Sequence, residues 1–221
     1  RTEDLLITGG QATYVKGDFN IKGLPDWNNT FMELNFEQVA TNKRDLDFLY
    51  SNFSGQPRAR VPDIISKFGE ISFKGKFTGL QNDFVAFGTF KTALGRFDPD
   101  LNLKISKKGT PSYSGKIATS NFDLGKLLET DIVGRTSLTA NVKGSGDDLK
   151  TLNTKLNAQI SRIRFKSYDY NNVTFNGSLI KEVAKGELTI NDRNIQLDAN
   201  GSADLGSKLP AYNFAANVNN A

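Results

Sequence analysis

The sequence predicts an all-β fold, one long and mostly antiparallel sheet curled into a groove, with short helical interruptions. Three observations point there. Apolar and polar residues alternate through most of the chain, turn-forming clusters recur at short intervals, and helical periodicity is scarce.

The alternation is cleanest in five segments. Phe73-Lys74-Gly75-Lys76-Phe77, Leu101-Asn102-Leu103-Lys104-Ile105 and Leu138-Thr139-Ala140-Asn141-Val142 keep step without a fault, as do Leu156-Asn157-Ala158-Gln159-Ile160 and Ile195-Gln196-Leu197-Asp198-Ala199. Successive side chains of a strand point to opposite faces, so each segment sets its apolar residues on one face and Lys, Asn, Gln or Thr on the other. Strands buried on one side only belong to antiparallel sheets rather than to a parallel α/β core. The connections agree. Asn191-Asp192-Arg193-Asn194 separates Leu188-Thr189-Ile190 from Ile195-Gln196-Leu197, and Gly144-Ser145-Gly146-Asp147-Asp148 divides two further strands. The spacing of such signals implies roughly 14 strands. Helix is expected only over Asp45 to Asn52 and over Val61 to Phe68, where a proline stands near the start.

The chain divides into residues 1–68, a sheet segment with a helical insertion near 45–68, and two β units, 69–132 and 133–221, all expected to share one continuous sheet. IKGLPDW (21–27), FTGLQND (77–83) and VKGSGDD (142–148) repeat the order apolar, polar, Gly, two variable residues, then an Asp or Asn equivalent. Ordinary reuse of Gly-Asp turns explains the same similarity.

Composition narrows the function. No window approaches the roughly 18 uncharged apolar residues of a spanning helix. The opening RTEDLLITGG has neither a basic start nor an apolar core, so the chain is expected to begin and end within something longer. With no cysteine there is no disulfide framework and no thiolate chemistry; with no histidine, Ser-His-Asp catalysis and histidine-held zinc are excluded. The net charge is +4, but the lysines alternate with Asp, Asn and Thr, as in GRFDPDLNLKISKKG, and the densest arginine pair, PRAR at 57–60, is short. That is a solvated sheet face rather than a nucleic-acid surface.

Candidate chemistry is sparse. Asp98-Pro99-Asp100 and Asp147-Asp148 are paired carboxylates of the kind glycoside hydrolysis uses, but turn propensity alone places both pairs. Asp45-x-Asp47 offers calcium two carboxylates without the glycine and distal glutamate of a calcium loop. No phosphate-cradling glycine motif is present. No cofactor and no enzymatic activity are expected.

The apolar face remains. Sixteen phenylalanines against one tryptophan and one methionine make it greasy, with little polar handle for stacking sugars. Such a face must be covered, and helices are too few to cover it. A closed sandwich is one solution. The other is a sheet curled on itself around a lengthwise trough, on the order of 65 Å long at about 4.8 Å per strand.

One stretch breaks step: in Phe122-Asp123-Leu124-Gly125-Lys126-Leu127-Leu128 the apolar residues crowd into a knot. NFDLGKLL followed by IVGRTSLTANVKGSGDDL resembles the repeating unit of the TamB and AsmA-like proteins of Gram-negative bacteria, in which a strand enters an FDLGxLL-type knot and GxxxLxxxxxGxG resumes the sheet. RIRFKSYDYNNVTFNGSLIKEVAKGELTINDRNIQLDANGSADL follows the same cadence, and the Asn- and Lys-rich style resembles the Bacteroidetes branch. The resemblance extends over residues 69 to 221. It implies a section of a large periplasmic protein anchored in the inner membrane, whose β-taco sheet reaches towards a BamA-family (TamA-like) outer-membrane barrel and serves phospholipid movement and outer-membrane biogenesis. The family's anchor and partner-binding regions have no counterpart here, so anchoring and partner contact attach to no residue of this chain.

The expected function is therefore passage of phospholipid acyl chains along an apolar groove. Its expected lining is Phe73, Phe77, Leu101, Leu103, Ile105, Leu138, Val142, Leu156, Ile160, Phe175, Leu188, Ile190, Ile195 and Leu197. The knot is expected to be a short helical crossover capped by Asp123, with Phe122, Leu124, Leu127 and Leu128 plugging the groove or its rim. Three other readings stay open: a structural scaffold whose greasy face is closed by protein, an adhesin or carbohydrate-binding sandwich (against which the single Trp27 argues), and a carboxylate enzyme.

Overall fold

Alternation becomes strand wherever it is uninterrupted, and thirteen strands hydrogen-bond in strict sequence order into one sheet. The computed structural model describes residues 1–26, 29–53, 60–206 and 211–220. The strands are β1 Thr2–Gly9, β2 Thr13–Lys22, β3 Phe31–Thr41, β4 Ile71–Leu80, β5 Asp83–Thr92, β6 Gly95–Ile105 and β7 Pro111–Asp123, then β8 Val133–Ser145, β9 Asn153–Phe165, β10 Tyr168–Ile180, β11 Val183–Asn191, β12 Gln196–Asp204 and β13 Ala211–Asn220. Helix α1, Lys43–Phe53, and a 3-10 turn, Asp63–Phe68, lie between β3 and β4; helix α2, Leu124–Leu128, lies between β7 and β8. Every pairing is antiparallel, and the sheet does not close into a barrel. Among the described residues all thirteen strands belong to one sheet, and the second sheet that a sandwich needs is not formed.

Strict sequence order has a geometric consequence. Turns must alternate between the two long rims of the sheet, so both helices and the 3-10 turn fall on the first rim, with the β1–β2, β5–β6, β9–β10 and β11–β12 turns. The three repeated Gly-containing stretches all fall on the second rim, at the β2–β3, β4–β5 and β8–β9 turns. Units 1–68, 69–132 and 133–221 are consecutive stretches of the same sheet.

The helical segments keep their sequence logic. Asn42 Oδ1 accepts the Asp45 amide at 3.0 Å and caps α1. Pro62 opens the segment over 63–68, but its bonds run to the third residue, Ile65 N to Pro62 O and Gly69 N to Ser66 O, giving a 3-10 turn that ends at Gly69 with φ +62°. Asp123 caps α2 by accepting the Lys126 amide at 3.0 Å, and Glu129 ends it in the left-handed region.

Bulges concentrate towards the first rim. Glu37 and Gln38 face one residue of β4, Ser120 and Asn121 face one residue of β8, and Gly134 and Arg135 face one residue of β9. Each extra residue bends its strand and sharpens the local twist, which curls the sheet. Ala140, Ala158, Ile160 and Val173 form the buried core of the curl, across β8 to β10.

One expectation is overturned. Asp98, Pro99 and Asp100 lie inside β6, not in a turn. Pro99 has no N–H to give, and the β5–β6 register is blank between Phe87↔Asp100 and Phe90↔Phe97, where the missing donor falls. Asp98 instead accepts Thr89 Oγ1 at 2.6 Å and pairs with Arg96.

Candidate functional site

Register turns the period-two pattern into continuous rows across the inner face. One row runs Leu34, Phe77, Ala86, Leu101, Gly115, Val142, Leu156, Gly177, Gly186, Gly201, Phe214 from β3 to β13. A second, nearer the first rim, passes from Phe73 through Phe90, Phe97 and Thr119 to Leu138, Ile160, Val173, Ile190 and Leu197. Phe175 and Leu188 stand in the row between them, opposite Ala158 and Ala199. Leu103 pairs with Tyr113, and Ile105 with Pro111 at the second rim. Thirteen of the fourteen expected lining residues thus stand on inner-face rows of strands. Ile195 is the exception: it sits in the β11–β12 turn, where its carbonyl accepts the Asp192 amide.

The rows do not make a featureless trough. From β2 to β7 they are filled by rings: Phe19, Phe36, Phe73, Phe90 and Phe97 touch in sequence, and Phe90 and Phe97 stack at 4.6 Å and 1°. Phe68 of the 3-10 turn and the buried Phe122 close this stack at the first rim, 5.9 and 6.1 Å from Phe97. Phe122 is thus the residue of the knot that packs on the stack. Leu124 and Leu127 are half-buried beside it, and Lys67 donates to the Leu127 carbonyl at 2.7 Å. Leu128 corrects the expected plug. It is 58% exposed, because a helix of five residues turns only part of its circumference towards the sheet.

Beyond β7 the first-rim half of the face holds the buried core and the half towards the second rim opens. A cavity of about 620 Å³ lies over β9 to β13, with an almost wholly apolar wall in which Leu156, Phe175, Leu179, Leu188 and Phe214 stand. Its size falls within the range of small-molecule pockets. Glycines set its floor. A Cβ on Gly177 would lie 2.5 Å from Phe175 Cζ, and one on Gly186 2.7 Å from Phe175 Cε2, so the Phe175 ring lies flat across two glycines instead of standing into the cavity. Phe214 covers Gly201 in the same way. Of the expected lining, Leu156, Phe175 and Leu188 border this cavity; Tyr113, Leu152, Thr154, Leu179, Ala184 and Phe214 were not expected there. Their rows mix Gly, Ala, Ser and Thr with apolar residues, and only register shows them aligned.

The first rim carries two buried carboxylates. Asp45 accepts the amides of Ala12 and Gln11 and the hydroxyl of Thr13, pinning α1 to the β1–β2 turn; those amides, Ala12 first, hold its carboxyl below the usual range. Asp192 accepts the Asn194 amide at 3.0 Å, the Tyr168 hydroxyl at 2.6 Å and the Asn171 amide at 2.9 Å. These donors hold Asp192 far below an ordinary carboxylate, and donation to it pushes the Tyr168 phenol up. Both are structural clips. Asp45 is engaged by the Gln11 and Ala12 amides and the Thr13 hydroxyl, and Asp47 by Lys43 Nζ and the Val61 amide. Among the described residues no cluster of three acidic side chains suits a metal. Asp148 caps its own turn through the Lys150 and Thr151 amides. No described helix is long and apolar enough to cross a membrane. Trp27 and most of the PRAR stretch lie outside the described residues.

No protein-family model, no curated protein and no solved structure matches this chain.

Proposed function

We propose that this chain is a section of a periplasm-spanning bridge that conducts phospholipid acyl chains along the inner face of its sheet between the inner and outer membranes. The observation that carries the reading is the cavity over β9 to β13, apolar on its walls and continuous with apolar rows that cross the whole sheet. A chain laid there sheds water from each methylene, at about 0.8 kcal/mol apiece. Over β10 to β12 the row is glycine at three successive strands, Gly177, Gly186 and Gly201, and that even floor favours sliding over a single tight seat. The aromatic stack from β2 to β7 fills the corresponding rows with rings, so the acyl chain of this proposal lies over β9 to β13.

The resemblance of residues 69–221 to TamB and AsmA-like proteins supports the wider setting: periplasmic location, an anchor in the inner membrane and a BamA-family barrel as partner, both contacts lying outside this chain. No catalysis is part of the proposal.

The test is mass spectrometry of organic extracts of the protein purified without detergent, beside a Leu156→Glu, Leu188→Glu variant whose folding is checked by circular dichroism. Phospholipid held by the parent and lost by the folded variant supports the groove. A lipid-free, cooperatively folded parent that also fails to take up added phospholipid sinks it and leaves a structural scaffold.

A further inference from the structure

The cavity has one polar feature inside its apolar wall. Tyr113 of β7 faces inward, opposite Gly144 of β8, which in turn faces Thr154 of β9. Because Gly144 has no side chain, the phenol reaches across it, and the Tyr113 hydroxyl meets Thr154 Oγ1 at 2.6 Å. Both residues line the cavity with Leu156 and Leu179.

Counting protons shows what this pair offers. Each hydroxyl brings one hydrogen and can accept two. The mutual bond uses one hydrogen, so a second remains whichever residue donates. No other hydrogen bond of either hydroxyl to a described residue is present. A spare donor beside an apolar cavity matches a ligand that is hydrocarbon along its length and carries an uncharged acceptor at one end.

We infer that the Tyr113–Thr154 pair binds the ester carbonyl of an acyl lipid and fixes where along the groove its polar end stops. This rests on the acyl-groove reading and deepens it. The carbonyl of an acyl ester accepts the spare hydrogen while its chain lies along Leu156, Phe175 and Leu188. A carboxylate is a poorer occupant, since among the described residues Lys185 alone brings a cation to the border of this cavity, and its strand position faces outward. An alkane has nothing to accept with. The pair therefore selects esterified chains over bare hydrocarbon.

The test compares the parent with a Tyr113→Phe, Thr154→Val double variant. Replacing both partners by apolar groups of the same shape leaves neither unsatisfied, so folding is retained. The readout is displacement of the apolar dye N-phenylnaphthylamine by methyl laurate and by tetradecane. The expected result is about a fivefold loss of affinity for methyl laurate in the variant, the worth of one net hydrogen bond, with tetradecane unchanged. If both ligands bind and neither changes, or both change alike, the hydroxyl pair reads no ester and this inference falls while the groove stands. If the parent binds neither dye nor ligand, the groove reading falls and this one with it.

Discussion

The ring of Phe175 lies across Gly186 on the neighbouring strand, its Cε2 2.7 Å from where a Cβ would project. Glycine within a strand costs about 0.5–1 kcal/mol relative to alanine, so alanine would ordinarily stabilise this position. Here the added methyl must push the ring off its seat and into the cavity. Gly186→Ala is therefore expected to destabilise by roughly 1–3 kcal/mol in urea unfolding, the usual range for overpacking, and to weaken binding of an apolar dye. Gly9→Ala is the control, since nothing lies within 4 Å of its Cβ position. A stabilised Gly186→Ala variant with undiminished dye binding would show that the ring does not depend on the glycine floor.

Leu127 and Leu128 are adjacent on α2, one half-buried and the other 58% exposed. Aspartate at either position places the same charge near the same helix end, so the difference between the two variants reports burial. Leu127→Asp is expected to cost about 1–2 kcal/mol of apolar burial, and Leu128→Asp to stay within about 0.5 kcal/mol of the parent. Equal losses by chemical denaturation would mean that the knot packs as a unit and that Leu128 belongs to it.

The sequence was legible where a residue acts on its own strand or turn. The fold came from period two, which needs no partner to be read: Leu101, Leu103 and Ile105 alternate whether or not β7 is known. The Asp123 cap was legible because a capping residue acts on its own next turn. What escaped reading depends on register between strands remote in sequence. Gly177, Gly186 and Gly201 form one line of the floor only because β10, β11 and β12 pair without a slip there. Tyr113 and Thr154 are 41 residues apart, and nothing in either neighbourhood announces the other. Asp98 and Asp100 were misplaced for a related reason: proline beside aspartate is a turn signal locally, and the sheet overrode it.

Asp192 carries a pH dependence whose sign follows from its partners. The Asn194 amide, the Tyr168 hydroxyl and the Asn171 amide favour the charged carboxylate, so its folded pKa lies far below its unfolded one. A depressed carboxyl stabilises fully above the unfolded value, about 3.9, and its contribution falls as pH drops from there towards the folded pKa. Acid titration of stability is expected to be shallower below about pH 4 in Asp192→Asn than in the parent, and Asp192→Asn to be less stable at neutral pH. Parallel curves would assign the acid response to Asp45 and the other carboxylates.

On the outer face Lys143 and Lys155 are direct cross-strand neighbours, and neither forms an ion pair with a described residue. Like charges directly opposite repel, whereas opposite charges attract, by about 0.2–1 kcal/mol. Lys155→Glu is therefore expected to stabilise by that amount at low salt, Lys155→Gln by less, and both gains to shrink as salt screens the pair. Lys155 faces away from the apolar rows, so dye binding to the groove should stay unchanged in both variants. A salt-insensitive gain would trace to strand propensity rather than charge. A change in dye binding would mean that the outer lysines reach the cavity, and that the two faces of the sheet are not independent in function.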